Sequence, residues 1–206
     1  MRRVYQSLCF CVLIITIIVG CSRVPMQEMS DARQAIKAAR DVEAEHYVPS
    51  FWAKAKRDLK QAQQHLEVGQ FNQARSVAEL AKKQAVHAYN MAFAFNHAQK
   101  IWQAITIMGY PAPEVSTLLE KAQLAAAQGN VEKTIAFARA AYIHGESALN
   151  QARLNRAKIM IDMVKARQVE LSPNELVILE SAKTAYHHEE GKNAYQLIKR
   201  LFNQLP

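Results

Sequence analysis

When the sequence is shifted by 60 residues and laid over itself, apolar residues and turn residues fall into the same columns. Two apolar columns have the same residue in all three copies: Leu59, Leu119 and Leu179, and Ala62, Ala122 and Ala182. In the turn column Gly69 matches Gly129, and the third copy has Gly191 two residues later than expected. A fixed internal period is typical of repeat architectures, so the sequence predicts three copies of one supersecondary unit.

Within one copy the apolar residues recur at helical spacing. Ala55, Leu59, Ala62 and Leu66 step by four, three and four, which places them on one face of a helix. Residues 70–108 contain neither Gly nor Pro, and residues 130–171 contain only Gly145, so two long helices are expected. The predicted helices cover residues 28–47, 50–68, 70–108, 113–128, 130–168, 173–188 and 191–205.

Local signals at the helix ends agree with this division. Ser172 to Glu175 is a capping-box pattern with Pro173 at the first helical position. Gly129-Asn130 predicts the end of one helix and the N-cap of the next. Pro113 and Pro173 are 60 residues apart, whereas Pro49 lies four residues before its matching place.

The predicted fold class is all-α, with three tandem helical-hairpin repeats of about 60 residues that share long helices in an elongated bundle or solenoid. No stretch alternates apolar and polar residues for long enough to predict a strand. The predicted domains are a signal peptide at 1–20, a tether at 21–29, and repeats at 30–93, 94–152 and 153–206. Because the shared stripes are mostly alanine, each repeat buries little area and is expected to depend on its neighbours.

The first 20 residues have the layout of a secretory signal peptide: a basic start, then an apolar run from Leu8 to Val19. That run is too short for a membrane span, which needs about 20 residues. Residues 18–21, Ile-Val-Gly-Cys, resemble the lipobox of bacterial lipoproteins. The resemblance implies acylation of Cys21 and cleavage after Gly20, and several acyl chains give a lasting membrane anchor.

The residue after Cys21 is Ser22 and not Asp, which in the usual Gram-negative sorting pattern favours the outer membrane. We therefore expect a protein that is lipid-anchored at the periplasmic face of the outer membrane of a Gram-negative bacterium. Two alternatives stay open. The segment is an ordinary signal peptide, or it is an uncleaved anchor in which Cys21 has no role.

Residues 30–93 combine an alanine-spaced first helix, a Tyr47-Val48-Pro49 step, and a Gly69-Gln70-Phe71 turn followed by regularly spaced alanines. In these features they resemble the DUF4398 family, small bacterial envelope lipoprotein domains of undetermined function. The resemblance implies no site residue. The pattern Gly-x-Phe-x-x-Ala-x-x-x-Ala also resembles part of a tetratricopeptide repeat, but the period there is roughly 34 residues and its Trp and Pro columns are missing here.

Residues suited to metal binding or catalysis are few. Cys9, Cys11 and Cys21 all lie at the N-terminus, so no disulfide or thiolate site is predicted downstream. His187 and His188 are followed by two glutamates, but adjacent histidines on a helix point about 100° apart and do not chelate together. We expect an exposed helix end there, with no metal, no cofactor and no catalytic residue. A metal hydrolase that uses one of these histidines is the enzymatic alternative.

Basic residues cluster on two predicted helices, and Lys54, Arg57, Arg153 and Arg156 are the candidate binding residues among them. The clusters are Lys54, Lys56, Arg57 and Lys60 on the second helix, and Arg153, Arg156, Lys158, Lys165 and Arg167 on the distal part of the fifth. Such residues attract anionic lipid headgroups, lipopolysaccharide or the carboxylates of peptidoglycan, although a solvated helix face explains them equally well. Nucleic acid is excluded as a partner by the expected compartment. The large aromatic residues lie along the apolar stripes, and core packing is expected for them: Phe51, Trp52, Phe93, Phe95 and Trp102.

Two functions from different classes follow from these patterns. The first is a non-enzymatic periplasmic scaffold or adaptor that binds an envelope protein, because repeats of this kind present extended surfaces. The alternative is direct binding of a cell-envelope polymer or anionic lipid through the basic helix faces.

Overall fold

A computed structural model describes residues 23–166 and 171–204. Within these two ranges the chain forms helices and short turns and contains no strand, so the all-α prediction is confirmed. The helices are α1 (Met26–Asp41), α2 (Ala44–Tyr47), α3 (Pro49–Glu67), α4 (Phe71–Ile107), α5 (Pro113–Ala127), α6 (Val131–Lys165), α7 (Pro173–His187) and α8 (Gly191–Phe202).

The helices pack as three successive bundles, each made of a helical hairpin and the helix that precedes it. The first bundle contains α1, α2, α3 and the part of α4 up to Asn96, and the second contains the rest of α4, α5 and the first half of α6. The third bundle contains the second half of α6 with α7 and α8. The two long helices, α4 and α6, are therefore each shared by two bundles.

Contacts along the chain give the direction of the long helices. Between α1 and α4, Glu28 contacts Arg75 and Asp31 contacts Lys82. Between α4 and α6, His97 contacts Tyr142 and Ile101 contacts Gly145. Because both members of each pair advance together, α1, α4 and α6 run parallel to one another. The start of α6 thus lies beside the middle of α4, and the bundles are staggered along the chain.

The three hairpin turns share one backbone geometry. Gly69 and Gly129 have φ angles of 74° and 75°, in the left-handed region that glycine adopts without steric cost. In the third hairpin that place is taken by Glu189, with φ 58°, so the expectation that Gly191 marks the turn is wrong. The left-handed residues are then 60 positions apart in all three hairpins.

Gly191 is instead the first residue of α8, where it lies against α6. A Cβ atom added to it would lie 2.5 Å from Asn150 Oδ1 and 2.6 Å from the Asn150 carbonyl oxygen. Glycine is therefore required at this position by a close approach of two helices and not by the turn. A second close approach involves Gly145 on α6, where an added Cβ would lie 2.4 Å from Ile101 Cγ2 on α4.

The N-terminal helix differs from its prediction as one helix over 28–47. It is divided into α1 and α2 by Val42 and Glu43, and Glu43 has a left-handed backbone with φ 62°. The break redirects the chain so that Ala44 and Val48 are buried in the core of the first bundle. The Glu43 side chain accepts a hydrogen bond of 3.4 Å from Asn96 Nδ2 on α4.

The predicted N-caps at Ser172 and Asn130 are confirmed at residue level, and the other helix starts lie within two residues of their predicted places. Ser172 caps α7 in a capping box, in which its backbone N–H and its hydroxyl donate to Glu175 Oε2 at 2.7 and 2.6 Å. These bonds, first from the hydroxyl and then from the backbone, lower the pKa of Glu175. Asn130 caps α6 by accepting from the Lys133 backbone N–H at 3.0 Å. Pro49 starts α3 one turn early, because α3 has 19 residues where α5 and α7 have 15.

The core is built largely of alanine, as expected. Ala62, Ala122 and Ala182 are each fully buried at matching positions of the three hairpins. The first two bundles share a continuous apolar cluster, whereas the third has a cluster of its own around Leu179 and Ile198. Helix α6 is the element that joins the third bundle to the rest.

Candidate binding surface

Helix α1 carries paired acidic side chains on the edge that faces α4. Arg75 Nε donates to Glu28 Oε1 at 2.7 Å, and Lys82 Nζ donates to Asp31 Oδ2 at 2.8 Å. Arg75 also donates through its second nitrogen, Nη2, to the backbone carbonyl of Arg23 at 2.8 Å. These bonds attach the beginning of the described chain to the long helix α4.

The same contacts stabilise the charged form of both carboxyl groups. The pKa of Glu28 is lowered, first by a backbone hydrogen bond and then by Arg75. The pKa of Asp31 is lowered by the hydrogen bond from Lys82 and by a second one from Gln27. The two carboxylates on the α4 edge of α1 are therefore both paired with cations of α4.

The opposite edge of α1 faces α3 and presents cations around a tryptophan. Trp52 is only 3% exposed, and two cations lie near its ring: Arg40 Cζ at 5.9 Å and Lys56 Nζ at 5.7 Å from the ring centroid. At these distances the negative face of the indole attracts a cation. The Trp52 Nε1 atom is buried and has no hydrogen-bond partner among the described residues.

The four predicted basic residues do not form one face. Lys54 and Arg57 are exposed on α3, two and five positions after Trp52, which places them away from the α1 side of that helix. Arg153 and Arg156 lie in the second half of α6, the part that packs in the third bundle. The candidate face is thus two separate regions on different bundles.

Sequence reasoning missed the cations on α1. Arg33, Lys37 and Arg40 are exposed and follow one another at i, i+4 and i+7, a spacing that puts them on one side of a helix. That spacing was visible in the sequence. The sequence did not show that Arg40 lies at the same tryptophan ring as Lys56, because that contact depends on how α1 packs against α3.

The histidine cluster lies at the end of α7, as predicted. His187 is the last helical residue and His188 the C-cap, and both are exposed. Within residues 23–166 and 171–204, no group of three or more His, Cys, Asp or Glu side chains is placed to hold a metal ion. His144 is the histidine in the described part that meets a carboxylate, with Nδ1 3.1 Å from Glu114 Oε2.

Most of the large aromatic residues are at least partly buried, and Phe93 is a clear exception. Its side chain is 45% exposed on α4, so the expectation of core packing is wrong for this residue. Phe93 lies between Tyr89 and His97, with ring centroids 5.9 and 4.3 Å away. The ring is stabilised there by its neighbours along one helix face, since spacings of four residues bring side chains together.

The described residues line a groove between α7 and α8 and a smaller concave region beside α6. The larger is a groove of about 760 Å³ between α7 and α8, with Leu176 and Leu197 among its apolar lining and Glu180 and Arg200 among its charged lining. The smaller, about 300 Å³, lies between the Tyr110–Val115 segment and α6 beside His144. Neither region contains a residue of the predicted basic face.

The predicted lipid-attachment residue Cys21 and the cleavage site after Gly20 lie outside the described residues. Among the helices that are described, none combines the length and the hydropathy needed to cross a bilayer.

Comparison with family models matches residues 27–99 to DUF4398, a domain of unknown function. The match confirms the predicted resemblance for this segment and extends a few residues beyond the 30–93 range on both sides. It covers α1, α2, α3 and most of α4, which is the first bundle together with part of the second. The resemblance to tetratricopeptide repeats is not shown. Comparisons with curated proteins and with solved structures each gave no match.

Proposed function

We propose that the protein is an outer-membrane lipoprotein that acts as a non-enzymatic periplasmic scaffold or adaptor. The proposal combines the lipobox-like residues 18–21 with the position of the first helix. Because α1 begins at Met26, only a few residues separate Cys21 from the helical body. An acylated Cys21 would hold that body close to the membrane surface.

The observation that supports a binding role is the set of large apolar side chains exposed on the second and third bundles. The most exposed on these two bundles are Ile107 at 87%, Ile143 at 66%, Val177 at 65% and Leu124 at 61%, and Val68 in the first bundle is 68% exposed. Single exposed apolar residues are common, and what supports a binding role here is that several of them, each more than half exposed, occur on successive helices of a body that presents an extended surface. We assign the partner to the class of envelope proteins with an apolar docking surface.

The anchor is tested by metabolic labelling with an alkynyl palmitate analogue. We expect label on the wild-type protein and none on the Cys21→Ala variant, whose helical body is unchanged. Equal labelling of the two proteins, or none in either, contradicts the anchor.

The scaffold role is tested by photo-crosslinking in intact cells. A photoreactive amino acid at Ile143 or Val177 should form a discrete adduct, whereas the same residue at Glu79, an exposed polar position of the first bundle, should not. The same adduct at all three positions, or none at any, counts against a defined apolar interface.

The alternative function, binding of an anionic envelope component, is favoured by the cations at Trp52. Co-sedimentation with purified sacculi or with anionic vesicles should weaken steeply as salt is raised, because the attraction is electrostatic. Salt-insensitive binding removes this alternative.

A further inference from the structure

Helical spacing places five cations along the sides of α1 and α3 that meet at Trp52. We name this group the α1–α3 seam and define it as Arg33, Lys37, Arg40, Lys56 and Lys60, all of them exposed. The two helices run antiparallel, because Arg40 near the end of α1 meets Trp52 near the start of α3. Lys60 is one helical turn beyond Lys56, so cations line the seam over about two turns of α1 and about one turn of α3.

The seam differs from the other edge of α1 in having no carboxylate partners. Arg75 and Lys82, on the α4 edge, are each in an ion pair. None of the five seam residues is in an ion pair within residues 23–166 and 171–204. Arg40 and Lys56 also repel each other, yet they share one indole ring. An anion beside that ring would relieve the repulsion.

We propose that the α1–α3 seam binds the phosphate groups of an anionic membrane surface. The inference rests on the proposed anchor and names the surface that the first bundle touches. From Cys21 to Met26 is five residues, which span at most about 18 Å when extended. Helix α1 has 16 residues and is about 24 Å long, so the seam residues on it can reach the bilayer when the helix lies along the membrane surface.

Neighbouring side chains fit the same surface. Val24 and Met26, just before and at the start of α1, are 47% and 61% exposed although they are apolar. Apolar side chains beside a row of Lys and Arg are typical of segments that lie at a membrane interface. The N-terminal end of α1, next to the tether, is thus apolar, and the cations of the seam follow it along the same helix.

The test measures vesicle binding by a soluble chain that begins at Ser22 and keeps every helix described above. Because this chain carries no acyl group, its result is independent of palmitate labelling at Cys21. The seam variant is Arg33→Gln, Lys37→Gln, Arg40→Gln and Lys60→Gln. The control variant is Lys121→Gln, Lys133→Gln, Arg139→Gln and Lys158→Gln. It removes the same charge from exposed positions on α5 and α6.

Vesicles of phosphatidylcholine with phosphatidylglycerol should bind the wild type, and vesicles of phosphatidylcholine alone should not. Each basic residue near an anionic surface contributes about a fivefold factor, so the seam variant should bind at least about 100-fold more weakly. The control variant should lose no more than about tenfold, through the reduced charge of the whole molecule. Circular dichroism and thermal unfolding establish that both variants stay folded.

A second measurement reports on the seam itself. In a Trp102→Phe background, Trp52 is the one remaining tryptophan. Its emission should change when anionic vesicles are added to this protein and stay constant in the seam variant. Equal losses in the seam and control variants overturn the proposal. So does binding to sacculi but not to vesicles, or an unchanged Trp52 signal. Absent labelling of Cys21 with intact vesicle binding overturns the anchor alone.

Discussion

The first and third bundles both consist of a helical hairpin packed on a preceding helix, but different contacts hold them together. In the first bundle, ion pairs join α1 to α4, and Tyr47 stacks on Phe95 with ring centroids 5.9 Å apart. In the third bundle, the Asn150 side chain on α6 bridges the α7–α8 turn. Its Nδ2 donates to the Glu189 carbonyl at 3.0 Å, and its Oδ1 accepts from the Gly191 N–H at 3.0 Å.

The difference shows that two kinds of residue determine the structure: repeated residues common to all bundles, and residues specific to one bundle. Small residues and turn positions at a period of 60 set where the helices begin, end and approach, since alanine allows close packing in all three bundles. Side chains that occur in one bundle only then fix its particular attachments. The apolar clusters follow the same division, because the third bundle's cluster is separate from that of the first two.

The largest effects are expected from truncation of large core side chains. Phe95→Ala in the first bundle should lower the free energy of unfolding by about 3–5 kcal/mol. Leu179→Ala in the third should lower it by about 2–5 kcal/mol. Both side chains are almost fully buried, so each truncation loses apolar burial and leaves a cavity. Denaturant unfolding followed by circular dichroism measures both values.

Hydrogen exchange then tests whether the bundles are energetically separate. Leu179→Ala should reduce protection in α7 and α8 and leave α1 and α3 near wild-type values, since local stability follows local packing. Leu80→Ala, at an exposed position on α4, is the matched control and should change neither region. Loss of protection throughout the chain after Leu179→Ala would mean that the bundles unfold as one unit.

Gly191→Ala tests the close approach of α8 to α6. Alanine normally stabilises a helix relative to glycine, by about 1 kcal/mol. Here we expect destabilisation of about 1–3 kcal/mol, because the new methyl group would meet Asn150 backbone and side-chain oxygens. Lys192→Ala, at the next and exposed position, should be nearly neutral. A gain in stability for Gly191→Ala would show that α8 is free to move away from α6.

Glu189→Gly should stabilise the third hairpin by about 1 kcal/mol. A left-handed backbone costs an L-residue roughly 1–2 kcal/mol, and glycine removes most of that cost. The matched test is Gly129→Ala, where the same geometry should make alanine unfavourable even though the space around it is open. Thermal unfolding of both variants should give changes of opposite sign, and changes of the same sign would contradict an equivalent turn in the two hairpins.

Much of the helix layout could be predicted because it depends on local signals. The capping box at Ser172, the cap at Asn130 and the turn at Gly129 each act within a few residues, and the structure has them where the pattern indicates. The third turn could not be assigned from glycine alone, since Glu189 adopts the left-handed conformation with no residue-type signal. The assignment of Gly191 to the turn was wrong because this glycine is needed for a contact with Asn150, 41 residues earlier in the chain.

The candidate surface was harder to predict than the fold. Lys54 and Arg57 are close in sequence to Trp52, but helix geometry turns them away from the α1 side. Arg40 becomes relevant only through antiparallel packing of α1 on α3, which sets the distance to the Trp52 ring. This antiparallel packing also depends on the break at Glu43, which ends α1 and lets the chain reverse direction. The residue spacing within one helix does not predict a contact that depends on the packing of two helices.

The smallest effect is expected from the ion pairs of the first bundle, and it depends on pH. The pKa values of Glu28 and Asp31 are lowered from ordinary values of 4.5 and 3.8 by their hydrogen bonds to neighbours on α1 and α4. A carboxyl group with a lowered folded-state pKa stabilises the protein above its unfolded value. That stabilisation is lost as the pH falls through the folded value.

Glu28→Gln with Asp31→Asn should therefore lower Tm slightly at neutral pH, and the gap from wild type should close as the pH falls below about 4. The effect is small because both groups are solvent-accessible and screened by water and salt. Glu120→Gln, an exposed glutamate on α5, should show no comparable pH-dependent gap. A gap that persists at low pH would mean that the two residues act by packing, and that the α1–α4 edge of the first bundle does not depend on charge. The first and third bundles would then differ less in chemistry than their contacts indicate.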